Sequence, residues 1–327
     1  MINMKLTKMI FKSVFFMLFM ITIGCTDDDD EDYGNWIESS DFDGDARANA
    51  VSFVIGDKGY LATGYDGDDY LVDVWEYSAE GNYWVQKADF PGTARSGAVG
   101  FELNGVGYLG TGYDGDDKLN DFWAYDATTN SWEPRADFIG SERYGAIGFS
   151  VSGNGYIGTG YDGSELKDFY KYDDVADSWE QSVGYSGSKR KDAATFTIGN
   201  KVYLGTGIHN GIYEEDFYVF DGDTEVWTKL TDLDEEDEYS ITRSSSVGFT
   251  LDGKGYLVSG NYTSDVWEYD PSDDTWEELS SFEGSGRQDA SGFNFGDRAF
   301  LTMGNSGSYY FDDIWEFKPL DEVDEDD

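Results

Sequence analysis

The sequence predicts an all-β fold: a closed ring of six four-stranded units. Three observations lead to it. Trp36, Trp84, Trp132, Trp179, Trp227 and Trp276 recur 47 to 49 residues apart, a period that belongs to solenoids, ring-shaped repeats or arrays. Three further aromatic columns keep the same period. The first of these tryptophans precedes the first complete unit, and the last unit stops before reaching one of its own.

The columns define the strands in order. Strand a carries Phe53, Phe101, Phe149, Phe196, Phe249 and Phe293. Strand b carries Tyr60, Tyr108, Tyr156, Tyr203, Tyr256 and Phe300. Strand c opens on Trp75, Trp123, Tyr170, Tyr218, Trp267 and Trp315, each followed two positions later by Tyr77, Tyr125, Tyr172, Phe220, Tyr269 or Phe317. Strand d holds the periodic tryptophan. In the second copy the four strands read AVGFELN, VGYLGTG, DFWAYDA and SWEPRADF, with NGVG and ATTN at the turns. Short alternating aromatic runs bounded by Gly, Asn and Asp are strand and hairpin signals. Sustained helical periodicity is absent outside the N-terminus. Four strands per unit, repeated radially, make the blade of a β-propeller.

With its Gly-ending strand b (YLGTG, residues 108–112), its Asp-aromatic start of strand c (Asp121 to Tyr125) and its strand-d Trp132, the chain resembles the kelch family over residues 36–320. It departs from that family's Gly-Gly pair. Thr63-Gly64, Thr111-Gly112, Thr159-Gly160 and Thr206-Gly207 stand there instead, with Ser259-Gly260 and Met303-Gly304 in the last two copies. Copy six ends at Trp315-Glu316-Phe317 without a strand d, while residues 35–47 (NWIESSDFDGDAR) read as a strand d and its loop. The N-terminal strand is therefore expected to complete the sixth blade, giving one propeller over 35–320 and an acidic tail over 321–327. Closure removes the exposed sheet edges of an open array.

Residues 1–24 read as a secretory leader. Lys5, Lys8 and Lys12 precede an apolar run from Val14 to Ile23 that is too short to span a bilayer. The sequence Thr22-Ile23-Gly24-Cys25 resembles a lipoprotein signal, which implies lipidation at Cys25. Residues 25–34 form an acidic tether. Its run from Asp27 to Asp32 is similar to the export signal of surface lipoproteins in Bacteroidota-type bacteria. The resemblance implies outer-membrane anchoring at the cell surface, with the periplasmic face as the alternative. The chain has 67 acidic and 22 basic residues and a net charge of −45. That balance excludes nucleic acid as a partner and leaves the lipid as the sole membrane contact. The expected state is a monomeric propeller.

The d–a and b–c loops share one face of such a ring, and that face holds what is unusual. Six of the eight arginines, Arg47, Arg95, Arg143, Arg190, Arg243 and Arg287, stand at the start of the innermost strand. Two readings are open. Each bonds carbonyls or a nearby carboxylate, or the six ring the channel mouth as an anion pocket. Kelch-type adaptors bind acidic peptides through arginines near this position, so the resemblance adds weight to the second. The Asp-rich b–c loops offer Asp66, Asp68, Asp69, Asp114, Asp116 and Asp117 as Ca²⁺ candidates, though they match no complete EF-hand loop. No other cofactor is expected. The column Asp73, Asp121, Asp168, Asp216, Asp265 and Asp313 ties each loop to strand c. Copies four and five break register: a long acidic loop (residues 230–240) lies beside a short one (Gly260 to Asp265). The expected notch groups Arg190, His209, Arg243 and Tyr262.

One histidine and one cysteine cannot build the copper site of the galactose-oxidase-type kelch enzymes. They also exclude a His-rich zinc site and reduce the nucleophile pairs to combinations with His209. Among so many carboxylates, a glycosidase pair cannot be picked out by sequence. The reading is a binding module for a glycan or protein ligand on the arginine-bearing face. The alternative is a carbohydrate-active enzyme such as a sugar-acid epimerase or mutarotase, since one bacterial enzyme of that kind is a six-bladed kelch protein.

Overall fold

The computed structural model describes residues 33–234 and 241–323. It is a six-bladed, all-β propeller; no helix occurs among the described residues. Blade one is β2 (Val51–Ile55), β3 (Lys58–Ala62), β4 (Val74–Ser78) and β5 (Tyr83–Gln86). Blade two is β6 (Val99–Leu103) to β9 (Ser131–Arg135), and blade three is β10 (Ile147–Val151) to β13 (Ser178–Gln181). Blade four is β14 (Ala194–Ile198), β15 (Lys201–Gly205), β18 (Tyr218–Asp221) and β19 (Val226–Lys229), with a small hairpin, β16 (Ile208–His209) and β17 (Ile212–Tyr213), in its b–c loop. Blade five is β20 (Val247–Leu251) to β23 (Thr275–Leu279). Blade six joins β24 (Ser291–Phe295), β25 (Arg298–Thr302) and β28 (Ile314–Glu322) to β1 (Tyr33–Glu38), with the hairpin β26 (Asn305–Ser306) and β27 (Tyr309–Tyr310) in its loop.

The ring closes as the phase of the tryptophans predicts. β1 pairs antiparallel with β28, setting Trp36 opposite Phe317 and Tyr33 opposite Glu322. The pairing starts two residues before the expected edge of the propeller and ends two after it. Trp36 is fully buried, stacks on Phe317 at 4.6 Å and meets Phe282 of blade five edge-on at 4.8 Å. The clasp is therefore a core joint as well as a hydrogen-bonded seam. Aromatic columns also cement neighbouring blades. Phe53 and Tyr60 stack within blade one, and Tyr125 of blade two packs at 5.4 Å from Tyr60. Gly107 makes room for this wedge, since a Cβ there would lie 2.2 Å from Phe53.

Each loop arginine is turned into its blade. The six side chains are 0–2% exposed. Arg95 spans Asp121 with both terminal nitrogens (2.5 and 2.8 Å) and donates to the carbonyls of Thr111 and Thr93. Arg47 holds Asp73, Arg143 holds Asp168 and Arg287 holds Asp313 in the same way. Arg190 pairs with Asp216 and Arg243 with Asp265. The face of Phe90 lies 4.9 Å from the Arg95 guanidinium, and Phe138 is placed alike for Arg143. The arginine backbone joins blades, because its carbonyl accepts the Gly112 N–H at Arg143 and the Gly64 N–H at Arg95.

This arrangement lets residues with side chains stand where the family has Gly. Thr63, Thr111, Thr159, Thr206, Ser259 and Met303 all adopt φ near +60°, a conformation that a side chain with a Cβ resists. The twist aims the carbonyl of each at an arginine Nη1. A charge-assisted bond offsets the strain.

Two outcomes are expected. Trp36→Ala removes the joint that closes the ring and lowers unfolding free energy by about 3–5 kcal/mol, measured by denaturant titration. Arg95→Ala leaves the Asp121 carboxylate without its ion pair and costs a similar amount, roughly 3–5 kcal/mol. Arg95→Lys keeps the charge but not the fork, and its midpoint falls between the parent and Arg95→Ala.

Candidate functional site

Strand a lies innermost, so the residues just after each arginine approach the axis. The second position after each is Asn49, Gly97, Gly145, Asp192, Ser245 or Asp289, and all six have φ between 53° and 61°. Their backbones form a closed hydrogen-bonded ring. Gly97 N–H donates to Asn49, Gly145 to Gly97, Asp192 to Gly145, Ser245 to Asp192, Asp289 to Ser245 and Asn49 to Asp289, at 2.8–3.3 Å. The ring narrows the channel to a space of about 120 Å³. Above it, on the face of the d–a and b–c loops, a cup of about 570 Å³ opens. Its walls include Tyr113, Tyr144, Glu165, Lys191, Asp192, Gln288 and Asp289.

The expectation that guanidinium groups ring this mouth is corrected by their burial. An arginine side chain buried against its own blade's aspartate presents no open guanidinium to the channel. Among the described residues that line the cup, the cation is Lys191. Its Nζ lies 2.9 Å from Asp192 Oδ2 and over the rings of Tyr144 (5.4 Å) and Tyr161 (5.9 Å). Gly145 permits this, since a Cβ there would lie 2.3 Å from Asp192 Oδ1. Burial raises the Asp192 carboxyl above its ordinary range, against the pull of Lys191. Burial also pushes Asp289 up to about 6, and the nearby Asp192 charge adds to it.

A tyrosine arc borders one side of the mouth. Tyr310, Tyr65, Tyr70, Tyr113, Tyr144 and Tyr161 follow one another from blade six to blade three, with ring centres 4.9–6.2 Å apart. The sequence reading missed it. The signal was available in the Tyr after each Thr-Gly pair of copies one to three, but Tyr144 and Tyr310 join only through the curvature of the ring.

The residues of the expected notch come together in part. Arg190 and Arg243 are buried in their ion pairs. His209 sits on β16, with Nδ1 3.4 Å from Glu214 and Nε2 2.9 Å from the Asn210 amide. Tyr262 is 49% exposed on the short loop of blade five. The Tyr213 hydroxyl donates to Asn261 at 2.5 Å and ties the two loops. Residues 235–240 of the long acidic loop lie outside the described residues, as do Cys25 and residues 1–32.

The calcium candidates form tight turns. Asp66 Oδ1 accepts the N–H groups of Asp68 (2.8 Å) and Asp69 (2.7 Å), and Asp114 does the same for Asp116 and Asp117. Asp68, Asp69, Asp116 and Asp117 point outward. Among the described residues, no three or more His, Cys, Asp or Glu side chains converge as a metal site.

Comparison with known proteins bears on the fold. The Kelch motif model matches residues 253–283, from the a–b turn of blade five through its strand d and into the loop that follows. No curated protein matches the sequence. A solved structure titled "Structure of YjhT" is similar at a TM-score of 0.73 and 15% identity, covering 86% of this chain and 99% of that one. Identity so low speaks for architecture alone. Blade count, strand order, the single motif match and structural likeness agree on the architecture: the chain folds as a six-bladed, kelch-like β-propeller.

Proposed function

We propose that the protein is a binding module that receives its ligand at the cup on the loop face. The observation that carries this is the break in six-fold symmetry at the mouth. The arginine scaffold repeats in every blade, while Lys191, Asp192, Asp289 and the tyrosine arc do not. A concave, largely preformed site with a few convergent polar groups is the usual form of a ligand pocket. Tyrosine rings supply contact area at low entropic cost.

The proposal includes display on a lipid anchor at Cys25, at the outer surface of a bacterial cell. It is supported by the leader and the acidic run in the sequence. β1 runs from the turn face toward the loop face, so the chain enters the propeller on the side away from the cup.

A carbohydrate-modifying activity is the second reading, and Asp289 favours it. A carboxyl that burial raises to about 6 inside a cleft is suited to proton transfer. Faster anomeric exchange of a sugar acid, followed by NMR, would establish this reading.

Asp289 also gives a pH prediction. Its folded value of about 6 lies above the ordinary 3.8. The folded state therefore holds the proton more tightly, and stability is lost as pH rises from about 4 through 6. Asp289→Asn is expected to gain about 2–3 kcal/mol at pH 7.5 and nothing below pH 3.5, by denaturant titration at both values.

The site itself is tested by a thermal-shift screen of the purified protein with Ca²⁺, sugar acids, oligosaccharides and peptides. A ligand of the folded state raises the melting temperature with concentration. Tyr144→Ala and Lys191→Ala are each expected to reduce that shift. A ligand whose shift survives both substitutions would place the site elsewhere.

A further inference from the structure

The tips of the b–c loops divide the mouth face into two arcs. On blades one and two they carry the exposed Asp68, Asp69, Asp116 and Asp117. Those carboxylates are free of the turn-capping done by Asp66 and Asp114. On blades four, five and six the tips carry Ile212, Tyr262 and Tyr309, which are 69%, 49% and 62% exposed. Large apolar side chains exposed on three successive loops of one rim are a feature of interaction sites.

Tyr262 adds an independent observation. Asn261 (φ 48°) and Tyr262 (φ 64°) are the two central residues of a turn closed by Thr263 N–H to the Gly260 carbonyl at 2.9 Å. Positive φ at both positions makes it a type I′ turn, whose residues are ordinarily Asn, Asp or Gly. A bulky aromatic there is strained. Its ring is half exposed rather than buried in the core. Outliers of this kind concentrate where a ligand is gripped.

We propose that this face docks a polypeptide, with a basic segment against the acidic arc and an apolar side chain against Tyr262 and its neighbours. The inference rests on the binding-module reading and names the class of partner. Charge complementarity selects the partner's sign, since the chain carries −45 and an anionic ligand would be repelled. A neutral glycan could stack on the aromatic rim but would gain nothing from the carboxylates. An aromatic anchor beside a charged rim is the anatomy of a protein–protein contact.

The experiment is selection of a displayed random peptide library on the purified protein, followed by affinity measurement with the enriched peptides. The expected consensus combines Lys or Arg with an aromatic or aliphatic residue. The combined Asp68→Asn, Asp69→Asn, Asp116→Asn and Asp117→Asn variant should bind at least tenfold more weakly at low salt, by a margin that shrinks at high salt. Tyr262→Asn should bind about tenfold more weakly at both salts while its melting temperature stays level or rises, because Asn accepts that backbone. An acidic consensus, no enrichment, or affinity indifferent to both variants overturns the proposal. Oligosaccharide binding on a glycan array without peptide enrichment overturns it too, but leaves the binding-module reading intact. Silence on both arrays sinks that reading as well.

Discussion

The buried arginine–aspartate pair is the interaction on which the ring depends. A guanidinium closed off from water is tolerable only when its donors are met. Here the partners are the aspartate at the start of strand c, the carbonyl after strand b and the carbonyl two residues back in the arginine's own loop, which the Tyr185 hydroxyl replaces for Arg190. In blades one, two and six the same aspartate also accepts an indole N–H from Trp75, Trp123 or Trp315. Burial alone would raise the carboxyls of Asp73 and Asp121. The bonds and charge of Arg47 and Arg95 more than offset it and hold both below the ordinary range. One side chain therefore gathers the d–a loop, the b–c loop and the first turn of strand c, and its backbone carbonyl reaches the neighbouring blade.

That economy leaves the axis to other residues. Since the arginines are spent within their blades, the ring of positive-φ backbone just beyond them shapes the channel. The lack of side chains at Gly97 and Gly145 opens one side of it. Acidic ones at Asp192 and Asp289 load the other. The result is a symmetric scaffold carrying an asymmetric mouth, which is how a repeat fold acquires a particular ligand. The cost is visible at Asp289, where burial works against the charged form.

The blade pattern was legible in the sequence because it depends on period and phase. Trp36 named the strand that closes the ring, and the aromatic columns named the strands. The hairpins β16–β17 and β26–β27 were not read, being two-residue strands whose pattern is too short to register. Of the two readings of the arginine column, the bonds to carbonyls and a nearby carboxylate are the ones the fold makes. Sequence places Arg95 at the head of strand a; only the fold brings Asp121, 26 residues later, within reach of its fork. Nor could spacing reveal that Lys191 would lie over Tyr144 and Tyr161, since these contacts cross from blade to blade.

The sequence by itself determined the repeat, the number of blades, the closure and the face on which irregular residues gather, because each of these follows from local periodicity along the chain. The tertiary structure decided which of those residues face the axis and which face inward. Side-chain direction at a loop depends on backbone twist and on partners distant in sequence. A one-residue step from Arg190 to Lys191, or from Arg287 to Gln288, separates a buried strut from the wall of the cup.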